Sequence, residues 1–237
     1  MTNIRVMDET LANKIAAGEV VEKCSSVVKE LCENSIDAGA KVILIHLEEG
    51  GKKLIEVSDD GCGMGREDAV LAFQRHATSK IYKDDDLFFI DTLGFRGEAL
   101  PSIASVSKAE LKTSDGVIGT HIIIEGGKKV LTEDGDVRKG TSIKITNLFY
   151  NTPARLKYLR SEQSELASCV SFVERLALSH PEISFTLNHD HHVVVKTSGS
   201  GNLLKTIHEI YGLQVSSKMI EIKASNDDFD LYGYVCK

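Results

Sequence analysis

Apolar residues recur at intervals of three and four residues in two stretches near the N-terminus, which is the spacing of an amphipathic helix. The second stretch runs into Gly39, a residue that suits the left-handed conformation at a helix end. Two short stretches of alternating apolar and polar residues follow, which is typical of strands buried on one side. The pattern therefore predicts helices at 7–21 and 27–38 and strands at 42–47 and 54–58.

The remainder of the chain alternates between helical and strand patterns, with one long irregular stretch. Residues 77–97 show no sustained periodicity and are longer than most structureless loops of a compact domain, which favours a functional loop. The other predicted elements are helices at 67–76, 98–106, within 153–180 and at 203–211, and strands within 109–146 and at 185–187, 193–197, 217–222 and 229–235.

The best candidate for a linker is the sequence Ser-Gly-Ser-Gly at 198–201. The residues that follow it are too few to enclose a hydrophobic core of their own. We therefore expect a main domain at 1–200 and the beginning of a second domain at 201–237.

Composition narrows the class of protein. The 28 basic and 35 acidic side chains give a net charge of −7, which argues against nucleic-acid binding through bulk charge. The five cysteines are odd in number and form no C-x-x-C pair, so we expect reduced thiols in the cytoplasm. The chain also lacks a signal-peptide core and an apolar run of roughly 18 residues, so we expect no contact with a membrane.

The predicted helix at 27–38 carries a polar stripe formed by Glu30, Glu33, Asn34 and Asp37. Such a stripe is most simply a solvated helix face. A carboxylate and an amide oxygen one turn apart could instead act together, with Glu30 activating a water and Asn34 binding Mg²⁺. The spacing permits this chemistry without establishing it.

A glycine-rich turn follows the second predicted strand. Asp59 ends the strand, and Gly61 and Gly63 come directly after it. A carboxylate there could accept a hydrogen bond from an exocyclic amine such as adenine N6, and the glycines would let backbone approach a flat ligand. Arg66 breaks the dinucleotide-binding fingerprint, and the chain has no Walker loop, so a plain turn is the competing interpretation.

Two further segments contain residues suited to phosphate or base contacts. Gly94-Phe95-Arg96-Gly97-Glu98 opens a predicted helix, where backbone N–H groups and the Arg96 guanidinium favour anions. Gly140-Thr141 begins a predicted strand and offers a hydroxyl. A flexible loop with a helix cap would explain the first segment equally well.

Two groups of residues resemble binding sites but have simpler explanations. The histidine-rich run at 189–192 looks like a metal tract, yet it falls at a predicted hairpin tip. The basic residues Arg155, Lys157 and Arg160 could contact a phosphate backbone. We expect them to cap and solvate a helix instead.

Taken together, the motifs resemble those of the ATPase superfamily that includes gyrase-type topoisomerases, the large heat-shock chaperones, histidine kinases and MutL, abbreviated GHKL. Three long segments single out the MutL family of mismatch-repair proteins. The superfamily motifs are 30–38, 59–63 and 140–141, and the MutL-specific segments are 76–80, 94–100 and 147–155.

This resemblance implies an α/β two-layer sandwich with a mixed, mostly antiparallel sheet and helices on one face. It also implies a Mg²⁺-dependent ATPase in which Glu30 is the general base and Asn34 the metal ligand, while Asp59 reads adenine. Residues 77–97 would form a lid that ATP binding orders, pairing two copies into a dimer. The implied ATP-binding residues are Asn34, Asp37, Asp59, Gly61, Gly63, Ser79, Lys80, Gly94, Phe95, Arg96, Gly97, Glu98 and Thr141.

The resemblance further implies a homodimer that works with the mismatch-recognition protein MutS near the nucleoid and contacts DNA mostly through regions beyond Lys237. A lysine of the family's second domain, also beyond Lys237, would reach the γ-phosphate. Two positions depart from the family pattern: Cys24 replaces a usual proline and Pro101 a usual alanine. We expect Pro101 to alter lid stiffness.

Three alternatives stay open. One is an ATP-gated dimerisation module in which hydrolysis is incidental. Another is a topoisomerase or chaperone ATPase, which the segments at 76–80 and 147–155 disfavour. The third is a histidine kinase, which would need a phospho-accepting helix upstream, whereas only the six residues 1–6 precede the first predicted helix.

Overall fold

The computed structural model describes residues 5–236. Eight strands form one sheet in the order β5-β4-β3-β6-β2-β1-β7-β8, and β9 and β10 form a separate antiparallel pair. The strands are β1 (Val42–Glu48), β2 (Leu54–Asp59), β3 (Lys108–Ser114), β4 (Gly119–Glu125), β5 (Lys128–Gly135), β6 (Gly140–Thr146), β7 (Ser184–His189), β8 (His192–Lys196), β9 (Met219–Ser225) and β10 (Asp230–Cys236).

Helices cover one face of the large sheet, as expected for a two-layer sandwich. The helix α2 lies on β1 and β2, α4 on β3 and β4, and α6 on β7 and β8, while α1 packs on α4. The helices are α1 (Glu9–Val20), α2 (Cys24–Asp37), α3 (Arg66–Leu71), α4 (Ala99–Ser105), α5 (Pro153–Tyr158), α6 (Glu162–Ser179), α7 (Leu203–Tyr211) and α8 (Leu213–Ser216). Within residues 5–236, no helix is both long and apolar enough to cross a membrane.

The core lies between the sheet and these helices. On β1, Ile43, Ile45 and Leu47 are fully buried while the alternate residues are partly or largely exposed, which is the period-two pattern of a one-sided strand. Among the described strands, β1 and β7 are the one parallel pair. The predicted mixed, mostly antiparallel sheet is therefore confirmed.

Several predicted element boundaries need correction. The helix predicted at 67–76 ends at Leu71, because the chain then turns and His76 adopts a positive φ of 63°. The helix predicted to begin at residue 27 begins at Cys24. The two last strands, predicted at 217–222 and 229–235, lie slightly later in the chain.

The segment after residue 200 has two parts. Helix α7 packs against α6 and β8, and its Thr206 and Ile207 are buried. The β9–β10 hairpin, in contrast, exposes large apolar side chains such as Phe229 and Leu231. The division into domains at 1–200 and 201–237 stays a prediction.

Candidate functional site

The carboxylate of Asp59 is held at the end of β2 by three donors. The Ser35 hydroxyl donates to Oδ2 at 2.7 Å, and the N–H groups of Gly61 and Thr141 donate to Oδ1 at 3.0 and 3.2 Å. Burial raises the pKa of Asp59, and these hydrogen bonds oppose the rise. The side chain therefore has a fixed orientation and incomplete solvation.

The glycines around Asp59 are required by close approach of the protein to itself. A Cβ at Gly61 would lie 2.9 Å from Ala38, and a Cβ at Gly63, where φ is 68°, would lie 1.8 Å from the Ser114 carbonyl oxygen. The turn is also tied to the end of α2 by a 2.9 Å hydrogen bond from the Cys62 N–H to the Ala38 carbonyl. Approach to a ligand is therefore not the reason these positions need glycine.

Thr113 is a member of this cluster that the sequence analysis missed. Asp59, Thr141 and Thr113 stand side by side on β2, β6 and β3. The Thr113 hydroxyl lies 2.9 Å from that of Thr141 and accepts a 3.0 Å hydrogen bond from the N–H of Met64. Strand alternation places Thr113 inward, but its neighbours follow from sheet order, which the sequence pattern does not contain.

The polar stripe of α2 is not a uniformly solvated face. Glu33 is 9% exposed, and the Lys29 ammonium donates to it at 2.9 Å. Burial raises the pKa of Glu33, and the contact with Lys29 opposes the rise. Glu30 lies one turn from Asn34, is also in contact with Lys29 at 3.0 Å, and keeps 22% of its side chain exposed.

Residues 77–97, which we call the lid, lie against the other end of this stripe. The Lys80 ammonium is 3.1 Å from Asn34 Oδ1 and 2.5 Å from Asp37 Oδ2. From the returning limb, the N–H groups of Leu93 and Gly94 donate to Asp37 at 3.0 and 3.2 Å. The structure thus brings four of the sequence-predicted residues together: Asn34, Asp37, Lys80 and Gly94.

The two ends of the lid meet at a neck formed by residues 75–77 and 97–98. A Cβ at Gly97, where φ is 62°, would lie 2.5 Å from the Ala77 carbonyl oxygen, so the two chain segments of the neck are in direct contact. Glu98 contacts His76 Nδ1 at 2.8 Å and Arg75 Nε at 3.7 Å. Gly97 and Glu98 therefore close the loop rather than lie beside Asn34.

Three other predicted residues lie elsewhere on this segment. Ser79 is exposed, next to Lys80. Arg96 is also exposed, and its guanidinium carbon lies 5.7 Å from the centre of the half-buried Phe95 ring. None of these three side chains has a described contact with the polar stripe of α2.

Comparison with known proteins identifies the architecture. Residues 22–123 match a family model described as histidine kinase-, DNA gyrase B- and HSP90-like ATPase. The chain is 54% identical over 236 residues to a MutL protein of Bacillus cytotoxicus and 53% identical to one of Geobacillus. It also superposes on the Aquifex aeolicus MutL ATPase domain complexed with ADP, with 30% identity and a TM-score of 0.67 over 86% of this chain and 73% of that one.

This chain belongs to the MutL family.

A second Aquifex aeolicus structure, the ATPase domain of a bacterial mismatch-repair endonuclease MutL, superposes with a TM-score of 0.68 and 26% identity over 92% of this chain and 74% of that one. The chain spans about a third of the length of the MutL proteins it matches, 36% for the Bacillus cytotoxicus protein and 38% for the Geobacillus one.

The two departures from the MutL pattern have different structural settings. Cys24 is the first residue of α2, and its N–H donates at 3.1 Å to Glu165, a carboxylate that is 1% exposed. Pro101 is the third residue of α4, where a backbone N–H has no partner within the helix. Pro101 therefore removes no intrahelical hydrogen bond, whereas Cys24 supplies a donor that proline lacks.

Of the three basic residues Arg155, Lys157 and Arg160, the first has a structural contact. The Arg155 guanidinium donates to the Ile15 carbonyl of α1 at 3.4 Å and lies over Gly18, where a Cβ would overlap it. Arg155 therefore contacts a helix, as expected, but in the middle of α1 and not as a cap at a helix end. Lys157 and Arg160 are exposed.

The histidine-rich run forms a hairpin tip, as predicted. Ligand atoms of Glu162, His189 and Asp190 lie within 4.8 Å of one another, so they could surround an ion. However, His189 Nε2 already accepts a 3.1 Å hydrogen bond from the N–H of Gly50. A metal ion on that nitrogen would leave a backbone donor without its partner, which disfavours a metal site.

Proposed function

We propose that this chain is the ATP-binding and ATP-hydrolysing region of a MutL-type mismatch-repair protein, with Mg²⁺ as its cofactor. The ATPase description of the matching family model and the ADP in the Aquifex aeolicus relative support a nucleotide as the ligand. The observation that carries the proposal is the hydrogen bond from the Ser35 hydroxyl to the Asp59 carboxylate. Ser35 directly follows Asn34 on α2. This hydrogen bond fixes the proposed adenine reader and the proposed metal ligand on one rigid frame.

Adenine recognition is assigned to Asp59. A carboxylate offers about four acceptor positions, and three are taken by Ser35, Gly61 and Thr141. The remaining position suits the exocyclic amine of adenine. Gly61, Gly63 and Thr141 shape the pocket around the base.

Binding of the ATP phosphates is assigned to the C-terminal part of the α2 stripe, at Asn34 and Asp37, and to the lid. Asn34 Oδ1 and the Asp37 carboxylate already surround one cation, the Lys80 ammonium, and hard oxygen donors of this kind suit Mg²⁺. When bound, Mg²⁺ would neutralise charge on the phosphate oxygens. Ser79, Lys80 and the segment 94–98 supply hydroxyl, ammonium, guanidinium and backbone donors to the phosphates.

Hydrolysis is assigned to Glu30 as general base. We expect Glu30→Ala to bind ATP as the unmodified protein does while turnover is lost, because a base acts on the attacking water and not on the nucleotide. Asn34→Ala should weaken both binding and turnover. Glu67→Ala, which removes an exposed glutamate of α3, is the matched control. Turnover of Glu30→Ala at the rate of the control, measured as phosphate release, would exclude Glu30 from the mechanism.

We further propose that ATP binding orders the lid and pairs two copies of the chain, and that this switch coordinates MutS and DNA during repair in the cytoplasm. The lid carries three aromatic side chains that are about four-fifths exposed: Tyr82, Phe88 and Phe89. Exposed apolar groups of this kind are a common feature of association surfaces. Size-exclusion chromatography with and without a non-hydrolysable ATP analogue tests the switch, and an unchanged mass would contradict it.

A further inference from the structure

The Lys29 ammonium lies between two carboxylates of α2. It is 2.9 Å from Glu33 Oε2 and 3.0 Å from Glu30 Oε1. Residues four apart on a helix lie one above the other, so the contact with Glu33 follows from helical spacing. Consecutive residues point in different directions, so the contact with Glu30 does not. The contact between Lys29 and Glu30 is therefore a specific arrangement of side chains and not a consequence of the helix alone.

Glu33 fixes the position of this ammonium. Only 12% of the Glu33 side chain is exposed, and burial raises the pKa of Glu33 while the contact with Lys29 opposes the rise. Burial lowers the pKa of Lys29, but the hydrogen bonds to Glu33 and Glu30 outweigh it, so the pKa of Lys29 is raised. The ammonium therefore stays charged, and moving it away would leave the buried Glu33 carboxylate without its partner, which is costly.

Glu30 is held at one of its two carboxylate oxygens. Oε1 contacts Lys29, whereas Oε2 has no described hydrogen bond within residues 5–236. A free glutamate side chain samples many rotamers, and fixing one of its oxygens removes much of this freedom. The second oxygen then has a defined direction and stays available as a proton acceptor, on a side chain that is 22% exposed.

We propose that Lys29 is a positioning residue for ATP hydrolysis: anchored on Glu33, its ammonium orients the Glu30 carboxylate so that Oε2 accepts the proton of the attacking water. This inference rests on the proposed function, since it takes Glu30 as the general base. In that step the water proton passes to Oε2, the water oxygen bonds to the γ-phosphorus, and the bond from that phosphorus to the departing oxygen of ADP breaks. Lys29 exchanges no proton in this step and acts only through the position of Glu30.

The orientation of Glu30 can be measured without nucleotide. Three-bond NMR couplings to Cγ and Cδ of Glu30 report whether its side chain keeps one rotamer or averages over several. We expect one rotamer in the unmodified chain and averaged couplings in Lys29→Met. Lys53→Met is the matched control, because Lys53 is also paired with a glutamate, Glu48 at 2.7 Å, but lies outside α2. Averaged couplings in the unmodified chain, or a single rotamer in Lys29→Met, would overturn the proposal.

Turnover shows whether this orientation matters for hydrolysis. In Lys29→Met we expect kcat to fall about tenfold while the dissociation constant of ATP stays within about twofold, because a misoriented base slows the chemical step and not binding. Lys29→Arg keeps a long cationic side chain and should recover most of the loss. A role limited to helix stability would instead change urea unfolding and leave kcat unchanged. Equal kcat in Lys29→Met and Lys53→Met would overturn the inference, as would a loss confined to ATP affinity.

A double substitution tests the anchor. Glu33→Gln keeps the shape of the side chain but weakens its contact with Lys29, since a neutral amide is a weaker acceptor than a carboxylate. We expect Glu33→Gln to lower kcat less than Lys29→Met does, and to have no further effect once Lys29 is replaced by methionine. Additive losses would show that Glu33 acts independently and would overturn the anchored arrangement. If Glu30→Ala turned over as fast as Glu67→Ala, the proposed function would fail at its general base, while the coupling measurements would stand.

Discussion

Replacement of Cys24 by proline, the residue usual in the MutL family, is expected to destabilise this protein. The Cys24 N–H donates at 3.1 Å to Glu165 Oε2, and the Arg160 N–H donates at 3.2 Å to Glu165 Oε1. Glu165 is 1% exposed, so water cannot replace a lost donor. Proline has no N–H and would leave one oxygen of this buried carboxylate without its partner.

The backbone itself would accept proline. Cys24 is the first residue of α2, a favoured position for proline, and the preceding Lys23 is extended, with φ −155° and ψ 173°. Restricting the unfolded chain would contribute about 0.4–1 kcal/mol of stability. The lost hydrogen bond to a charged acceptor costs about 1.5–3 kcal/mol. The second effect wins, so we expect a net loss of about 0.5–2.5 kcal/mol.

Urea unfolding of Cys24→Pro and Cys24→Ala measures this difference. Both variants lack the thiol, but only alanine keeps the N–H, so their comparison isolates the donor. In a Glu165→Gln background the difference should shrink, because a neutral amide is a weaker acceptor than a carboxylate. The reasoning would be refuted if Cys24→Pro were as stable as Cys24→Ala or more so.

Two other substitutions test the Asp59 cluster. Burial raises the pKa of Asp59 above the ordinary aspartate value of 3.8. The stabilisation that comes from this shift is fully present below pH 3.8 and is lost as the pH rises through the raised pKa. Asp59→Asn should therefore be at least as stable as the unmodified protein at pH 7, with its advantage shrinking as the pH falls; an advantage that grows in acid would contradict this. Gly63→Ala should cost more than about 1 kcal/mol, because φ is positive and a Cβ would overlap the Ser114 carbonyl. Gly65→Ala, whose Cβ has room, is its control, and equal midpoints in thermal unfolding would show that the overlap is relieved.

Local patterns were sufficient to predict most elements and the position of the α2 stripe, because helical and strand periodicity depend on neighbouring residues alone. They were not sufficient to predict what each side chain meets. The contact between Cys24 and Glu165 joins residues 141 positions apart, and that between Thr113 and Thr141 joins strands that become neighbours only in the folded sheet. Helix α3 was predicted too long for a related reason: residues 72–76 have helical composition, but the chain turns there toward the lid.

Tertiary contacts give the four polar residues of the α2 stripe different environments. Periodicity places Glu30, Glu33, Asn34 and Asp37 on the same side and treats them as equivalent. In the structure, Glu33 is buried against Lys29, while Asn34 and Asp37 contact the lid. Glu30 has no described contact with the lid; it shares Lys29 with Glu33, and 22% of its side chain is exposed, against 12% of the side chain of Glu33. A general base must reach a water molecule, so the greater exposure of Glu30 supports the proposal that Glu30, and not Glu33, is the general base.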